Sequence, residues 1–151
     1  MKMLEELSGL NVREIPMNDA KTMSIFGSVD ALNIDTTKNT EKTGAAGIPE
    51  FGTQFVRGIL ELTRPNTFEE LLKISGLSHG TDVWLGNAQE LIKNNIVPFK
   101  EVIGCRDDIM VYLMYHGLEP KKAFKIMEFV RKGRASKDPE TWKGYAETMK
   151  Q

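Results

Sequence analysis

One glycine-rich stretch, Ser75–Gln89, concentrates the side chains that could take part in chemistry. Its hydroxyl and amide groups can form hydrogen bonds, and His79 can gain or lose a proton near neutral pH. Trp84 adds a large flat surface, and the glycines let a ligand approach the backbone closely. A compact domain seldom contains so long an irregular connection without a function. Two interpretations remain open at this point: a loop that holds a flat polar ligand such as a nucleotide, or an inter-helix linker whose Trp84 fills the core.

A second candidate site is the segment 104–108, Gly-Cys-Arg-Asp-Asp, which is predicted to begin a helix. Arg106 beside the free N–H groups of a helix N-terminus suits a phosphate; the alternative is a surface Arg106 paired with Asp107 or Asp108. Carboxylates on adjacent helical residues do not face one another. Acidic side chains in the first turn of a helix are stabilised by the positive end of the helix dipole. We therefore interpret both aspartates as helix-start residues and not as metal ligands. Cys105 is expected to be a small buried residue.

A hydrolase is not predicted. His79 and Asp82 could form a general base and its orienting acid, but no convincing nucleophile accompanies them. Two histidines and one cysteine, widely spaced, form no zinc-binding pattern.

Positive charge is concentrated between Lys121 and Lys137, where Glu128 is the only acidic residue. The whole chain has 20 basic and 21 acidic residues and a net charge of −1, so it lacks an overall polyanion-binding signature. A local basic cluster is a candidate phosphate-binding surface. The alternative is a solvated helix face without a ligand.

The elements that must position these residues are helices, because no stretch alternates strongly enough to predict a strand. The predicted fold class is mainly α: an irregular multi-helix domain with a long ordered glycine-rich loop and an αα-hairpin turning at Gly117. Residues 1–151 are expected to form one fragment, with a flexible loop at 28–46 and a C-terminal helix within 135–151. The expected helices lie near residues 1–7, 18–26, 53–64, 67–74, 87–93, 105–116, 120–132 and 138–150.

The predicted helix that leads into the glycine-rich stretch begins with a capping box, with Thr67 at the N-cap and Glu70 three residues later. Phe68, Leu71 and Leu72 are expected to form its buried stripe. Ser75 would then mark the start of the irregular loop.

The composition places the chain among soluble globular proteins of a reducing compartment. It has 151 residues, 40% hydrophobic and 27% charged, which suits one domain. A single cysteine excludes an internal disulfide and favours a cytoplasmic location. No apolar run is long enough to predict a membrane span, so no membrane partner is expected.

Several long runs of this sequence resemble the PolC-type DNA polymerases, the replicative DNA polymerase III alpha subunits of low-GC Gram-positive bacteria. The similarity covers nearly everything except residues 28–46 and the tail after Arg134. The runs that carry it are Ile15–Phe26, Gly47–Arg57, Ile74–Gln89, Val102–Leu113, Gly117–Pro120 and Ala123–Gly133.

The resemblance implies a part of an enzyme, the fingers region of a DNA-directed DNA polymerase. The palm with its metal-binding aspartates, a phosphoesterase-like module, the proofreading exonuclease and the clamp-binding region belong to the rest of the family's much longer chain. Mg²⁺ is accordingly expected in the palm, and neither a catalytic residue nor a metal ligand is expected here. Alone, the fragment is expected to be inactive.

The resemblance also implies the partners: primer–template DNA, the incoming deoxynucleoside triphosphate (dNTP) and the remaining domains of the parent polymerase. The alternative function is a non-catalytic helical protein-interaction module that binds through Trp84 or Trp142. The expected dNTP contacts are Ser75, Gly76, Ser78, His79 and Arg106, and the expected nucleic-acid contacts are Lys121, Lys122, Lys125, Arg131, Lys132 and Arg134.

Overall fold

The computed structural model describes residues 2–80 and 82–150, and within them the chain forms eight α-helices and no β-strand. The predicted mainly α fold class is confirmed. Short 3₁₀ turns lie at Val12–Glu14, Asp30–Leu32, Gly44–Gly47 and Phe99–Glu101. The helices are α1 (Lys2–Ser8), α2 (Ala20–Ser24), α3 (Gln54–Thr63), α4 (Phe68–His79), α5 (Gln89–Lys93), α6 (Arg106–Tyr115), α7 (Pro120–Arg131) and α8 (Pro139–Lys150).

Backbone contacts divide the chain into two compact units, Met1–Ser78 and His79–Gln151. The first unit contains α1 to α3 and all of α4 except His79, and the second contains α5 to α8.

In the first unit, α3 and α4 each bury one face. Thr53 caps α3 by accepting a hydrogen bond from the Val56 N–H at 3.3 Å. Arg64 ends the helix in a left-handed conformation immediately before Pro65, where the sequence predicts the stop. The inward residues of α3 are Val56, Ile59 and Leu60, all of them buried.

The segment 28–46 is partly anchored to this core. Val29, Thr43 and Ala45 are buried, and Lys42 Nζ lies 3.0 Å from Glu61 Oε2 on α3. Burial of these side chains ties both ends of the segment to the unit. Flexibility of the remainder stays a prediction.

Helix α4 is longer than predicted, and the start of the irregular loop at Ser75 was wrong. The capping box is present: Thr67 Oγ1 accepts from the Glu70 N–H at 3.2 Å, and Glu70 Oε2 accepts from the Thr67 N–H at 3.2 Å. Ile74 and Leu77 are 0% and 2% exposed, so the helical periodicity of the buried face continues past Gly76. Burying each of these side chains is worth about 1.5–3 kcal/mol, more than the roughly 1 kcal/mol that a helical glycine costs.

This extension changes which side of α4 is buried. Leu71 is buried as predicted, but Phe68 and Leu72 are 47% and 65% exposed, so their assignment to the core was wrong. The inward stripe runs through Leu71, Ile74 and Leu77 instead.

The connection from α4 to α5 includes residues 82–88, which form a turn with two buried side chains. Trp84 and Ala88 are each 3% exposed, whereas Leu85, Gly86 and Asn87 between them have non-helical backbone. Gly86 has a φ of +67°, which glycine adopts without a steric penalty. Thr81 lies outside the described residues.

The second unit is built on a hairpin of α6 and α7. Four residues connect the two helices, and Gly117 adopts a φ of +90° in that turn. Glu119 caps α7, and Pro120 occupies its first turn as predicted. Because Arg106 at the start of α6 lies 3.8 Å from Glu128 near the end of α7, the two helices run antiparallel.

The core of this unit lies between the hairpin and α8. Its buried centre is Leu113, Ala123 and Ile126. Phe129 joins it to α8, stacking on Trp142 at a ring distance of 6.3 Å and meeting Tyr145 edge-on at 5.2 Å. The partly buried side chains packed around the centre are Ile109, Met110, Leu118, Val130, Tyr145 and Met149.

Candidate functional site

Four of the five predicted nucleotide contacts lie together in the last two turns of α4. Ser78 Oγ donates a hydrogen bond to the Ser75 carbonyl at 2.9 Å. Ser75, Gly76 and Ser78 are half-buried, and His79 is exposed. Because this segment is helical, its backbone N–H groups bond to carbonyls one turn earlier. A ligand would therefore meet side chains here, and not the open glycine-rich backbone that the sequence suggested.

The exposed face of α4 combines these polar groups with apolar ones. Phe68, Leu72, Ser75 and His79 follow one another at helical spacings of four, three and four residues, so they share one face. Phe68 and Leu72 are exposed on that face. An aromatic ring, an aliphatic side chain, a hydroxyl and an imidazole can together contact a flat group that has hydrogen-bonding edges. Sequence reasoning missed Phe68 and Leu72 because it ended the helix too early.

The fifth predicted contact, Arg106, begins α6, where the aspartates act as helix-start residues. Asp108 Oδ2 accepts hydrogen bonds from the N–H groups of Gly104 at 2.8 Å and Cys105 at 3.2 Å. A carboxylate of the chain thus already occupies part of this helix N-terminus. Cys105 is exposed, so its expected burial was wrong.

Arg106 forms its ion pair with Glu128 on α7, and not with the neighbouring Asp107 or Asp108. The distance from Arg106 Nη1 to Glu128 Oε1 is 3.8 Å. The hairpin thereby brings a residue predicted to contact the nucleotide next to residues predicted to contact nucleic acid. No sequence pattern indicated this convergence, because 22 positions separate the two residues.

Glu128 is the centre of a cluster of cations. Arg131 Nε and Nη2 donate to Oε1 and Oε2 of Glu128 at 2.7 and 3.0 Å, a two-pronged contact. Lys132 Nζ lies 3.3 Å from Oε2 of the same carboxylate. The hydrogen bonds from Arg131 first, and then those from Lys132, lower the pKa of Glu128 to about 2. The same pairing raises the pKa of Arg131.

The predicted nucleic-acid contacts on α7 follow a definite stripe. Lys121, Lys125, Glu128 and Lys132 recur at spacings of four, three and four residues along one exposed face. Lys121 and Lys132 are eleven residues apart, which corresponds to about 16 Å along a helix axis. That length equals roughly five base steps of one DNA strand.

The remaining predicted contacts flank this stripe. Lys122 and Arg131 lie to its two sides, and Arg134 follows the helix, its N–H donating to the Phe129 carbonyl at 3.1 Å. All six predicted side chains are exposed. The opposite face of α7, which carries Ala123, Ile126 and Met127, is buried.

The two tryptophans proposed as anchors for a protein partner do not present fully exposed rings. Trp84 is 3% exposed, and Trp142 is half-buried and stacks on Phe129. The interaction-module hypothesis therefore loses the anchors on which it depended.

The described residues contain neither a metal-binding cluster nor a membrane-spanning helix. Residues 2–80 and 82–150 contain no group of three or more His, Cys, Asp or Glu side chains arranged to hold a metal ion. No helix in that part of the chain is long and apolar enough to cross a membrane.

Comparison with known proteins identifies similar sequences. The sequence model of the bacterial DNA polymerase III alpha subunit finger domain matches residues 1–151. A PolC-type DNA polymerase III of Bacillus subtilis (strain 168) is 63% identical over 134 residues, which are 89% of this chain and 9% of that protein. Proteins of the same name from Staphylococcus epidermidis (strain RP62A) and Listeria monocytogenes serovar 1/2a (strain EGD-e) are 60% and 58% identical over 138 residues, 91% of this chain. The chain spans about a tenth of the length of these relatives, and the resemblance inferred from its sequence runs is confirmed.

Proposed function

Because the chain belongs to the bacterial DNA polymerase III alpha subunit finger domain family, we propose that it serves in a replicative DNA-directed DNA polymerase. Within the parent enzyme it contacts primer–template DNA and the incoming dNTP during DNA synthesis in the cytoplasm. The observation that carries the proposal is the exposed stripe of lysines on α7 with its flanking arginines.

The chemistry of these groups fits a role in positioning the substrates. Phosphoryl transfer needs carboxylates to hold the metal ions, and in the parent enzyme those belong to the palm with its Mg²⁺. The groups near the triphosphate and the DNA backbone need only orient the substrates and neutralise their charge. Arginine and lysine side chains provide that neutralisation here.

The exposed face of α4 supports the second half of the proposal. Ser75 and His79 offer hydrogen bonds beside the apolar surfaces of Phe68 and Leu72. A nucleotide has a flat apolar face and polar edges, and this set of side chains complements both. Gly76 and Ser78 complete the proposed contact surface on α4. Arg106, in the second unit, is proposed separately as a phosphate contact.

The experiment is a fluorescence anisotropy titration of labelled primed DNA at several salt concentrations. We expect the binding constant to fall steeply with salt, because each neutralised phosphate contributes about −0.7 to −0.9 to the logarithmic slope. The variant Lys125→Ala should weaken binding and reduce the magnitude of that slope by roughly one unit.

Lys143→Ala is the matched control, since it removes the same charge from an exposed lysine of the same unit that lies on α8, outside the basic run. We expect it to change the slope less than Lys125→Ala does. DNA binding that does not depend on salt, or equal effects of the two variants, would contradict the proposed contact face.

A further inference from the structure

We propose that Glu128 is an internal competitor for phosphate: its carboxylate occupies the position that a phosphate group takes between Arg106, Arg131 and Lys132. The inference rests on the proposed function and names a positioning residue for the same surface. Its consequence is that the cation cluster is held ready for a phosphate, but binds it more weakly than its charge alone would allow.

The geometry of the cluster supports this role. The two oxygens of Glu128 receive two parallel bonds from Arg131, at 2.7 and 3.0 Å. Two non-bridging oxygens of a phosphodiester carry the same charge and can accept the same two-pronged contact from a guanidinium. A phosphate can therefore replace the carboxylate without rearranging Arg131.

The cluster joins separate parts of the hairpin, so it is more than a pair within one helix. Arg131 and Lys132 lie three and four residues after Glu128, whereas Arg106 reaches Glu128 from the start of α6. The side chains of Arg106, Arg131 and Lys132 are 56%, 41% and 45% exposed, against 20% for Glu128. The cations are thus open to an approaching ligand.

Competition between the Glu128 carboxylate and a phosphate would help the protein release DNA. Glu128 is the only acidic residue between Lys121 and Lys137, and it lies in the stripe formed by Lys121, Lys125 and Lys132. A polymerase must release and remake its backbone contacts as it moves along DNA. A carboxylate that returns to the cations whenever a phosphate leaves would speed that release.

The test compares Glu128→Gln with the unchanged chain in the anisotropy titration. The amide keeps the shape of the side chain but removes its charge. We expect primed DNA to bind about three- to tenfold more tightly, because the phosphate no longer has to break exposed ion pairs that are each worth at most about fivefold. The logarithmic salt slope should become steeper by about 0.9, as if one more phosphate were neutralised.

Glu147→Gln is the matched control, because Glu147 is an exposed acid of the same unit that lies on α8, outside the cluster. It produces the same change in net charge. Equal gains in affinity from Glu128→Gln and Glu147→Gln would overturn the proposal, since the effect would then be one of overall charge. Weaker binding by Glu128→Gln would overturn it too. If circular dichroism shows Glu128→Gln to be unfolded, Glu128→Asp, which keeps the charge but shortens its reach, should show a smaller gain.

Displacement of labelled DNA by inorganic tripolyphosphate identifies the source of the phosphate. A lower inhibition constant with Glu128→Gln would assign the site to a nucleotide triphosphate, and a gain confined to DNA would assign it to the backbone; both support a phosphate site. Should isothermal titration calorimetry show that the unchanged chain binds tripolyphosphate while anisotropy shows no DNA binding, the proposed DNA contact fails. A gain in tripolyphosphate affinity with Glu128→Gln would still support this inference.

Discussion

Gly52, in the Gly47–Arg57 run, lies where backbone atoms leave no room for a side chain. A Cβ built on Gly52 would collide with the Ala46 carbonyl oxygen, and would lie 3.1 Å from the Ala46 carbonyl carbon and 3.2 Å from the Ile48 carbonyl oxygen. All three neighbours are backbone atoms, so no side-chain rotation can relieve the overlap. We therefore expect Gly52→Ala to destabilise the turn that leads into α3.

These contacts set the expected loss of stability in Gly52→Ala. Forcing an extra carbon into a filled space typically costs about 1–3 kcal/mol. Moving Gly52 away would also lengthen the bond from its N–H to the Ile48 carbonyl, now 2.8 Å, which is worth about 0.5–1.5 kcal/mol. The sum is about 1.5–4.5 kcal/mol, or a fall in Tm of roughly 3–18 °C for a chain of this size.

The measurement is thermal and urea unfolding followed by circular dichroism, with Gly58→Ala as the matched control. Gly58 lies inside α3, and a Cβ there would have no neighbour within 4 Å. Alanine should stabilise that helix by about 0.4–1 kcal/mol. If Gly52→Ala proves as stable as the unchanged chain, the steric explanation for this glycine is refuted.

Two further predictions concern the hairpin of the second unit. Asp108→Ala should lower the free energy of unfolding by about 1 kcal/mol, because it removes the acceptor of the Gly104 and Cys105 N–H groups. The control Asp107→Ala should change that free energy by less than about 0.5 kcal/mol. Equal losses for the two variants in urea unfolding would argue against the cap. Glu128 has an ordinary pKa of 4.5 and a folded-state pKa of about 2, so its ion pairs stabilise the fold above pH 4.5 and that contribution is lost as the pH falls towards 2. Glu128→Gln should therefore have a lower Tm than the unchanged chain at pH 7 and an equal one near pH 2, and a Tm difference that does not change with pH would contradict this linkage.

Local sequence patterns predicted a loop from Ser75 onwards, whereas the chain is helical as far as His79. Gly76 and the polar residues around it suggested a loop, since glycine and serine are poor helix formers. The structure continues α4 to His79 because Ile74 and Leu77 find buried positions. That continuation turns Phe68 and Leu72 outwards, next to Ser75 and His79, where they extend the candidate site. Burial depends on what lies across from a residue, which propensity within a short window does not report.

The candidate phosphate surface was only half predictable for a related reason. The run of basic residues on α7 is contiguous in sequence, so its charge and its helical stripe could be read directly. In the sequence, Glu128 is recognisable only as the single acidic residue within that run, and Arg106 is predicted to contact the dNTP instead. Their meeting at 3.8 Å exists because the turn at Gly117 folds α6 back along α7.

The sequence by itself determined the helical class, the cap at Thr67, the place of Pro120 in the first turn of α7, the basic stripe and the family. These follow from interactions within a few residues or from runs of identity, and neither needs knowledge of distant contacts. Only the tertiary structure decided how far α4 extends, which of its faces is exposed, and which cations share Glu128. Those outcomes depend on the burial of apolar side chains and on ion pairs between helices, both of which join residues far apart in the chain.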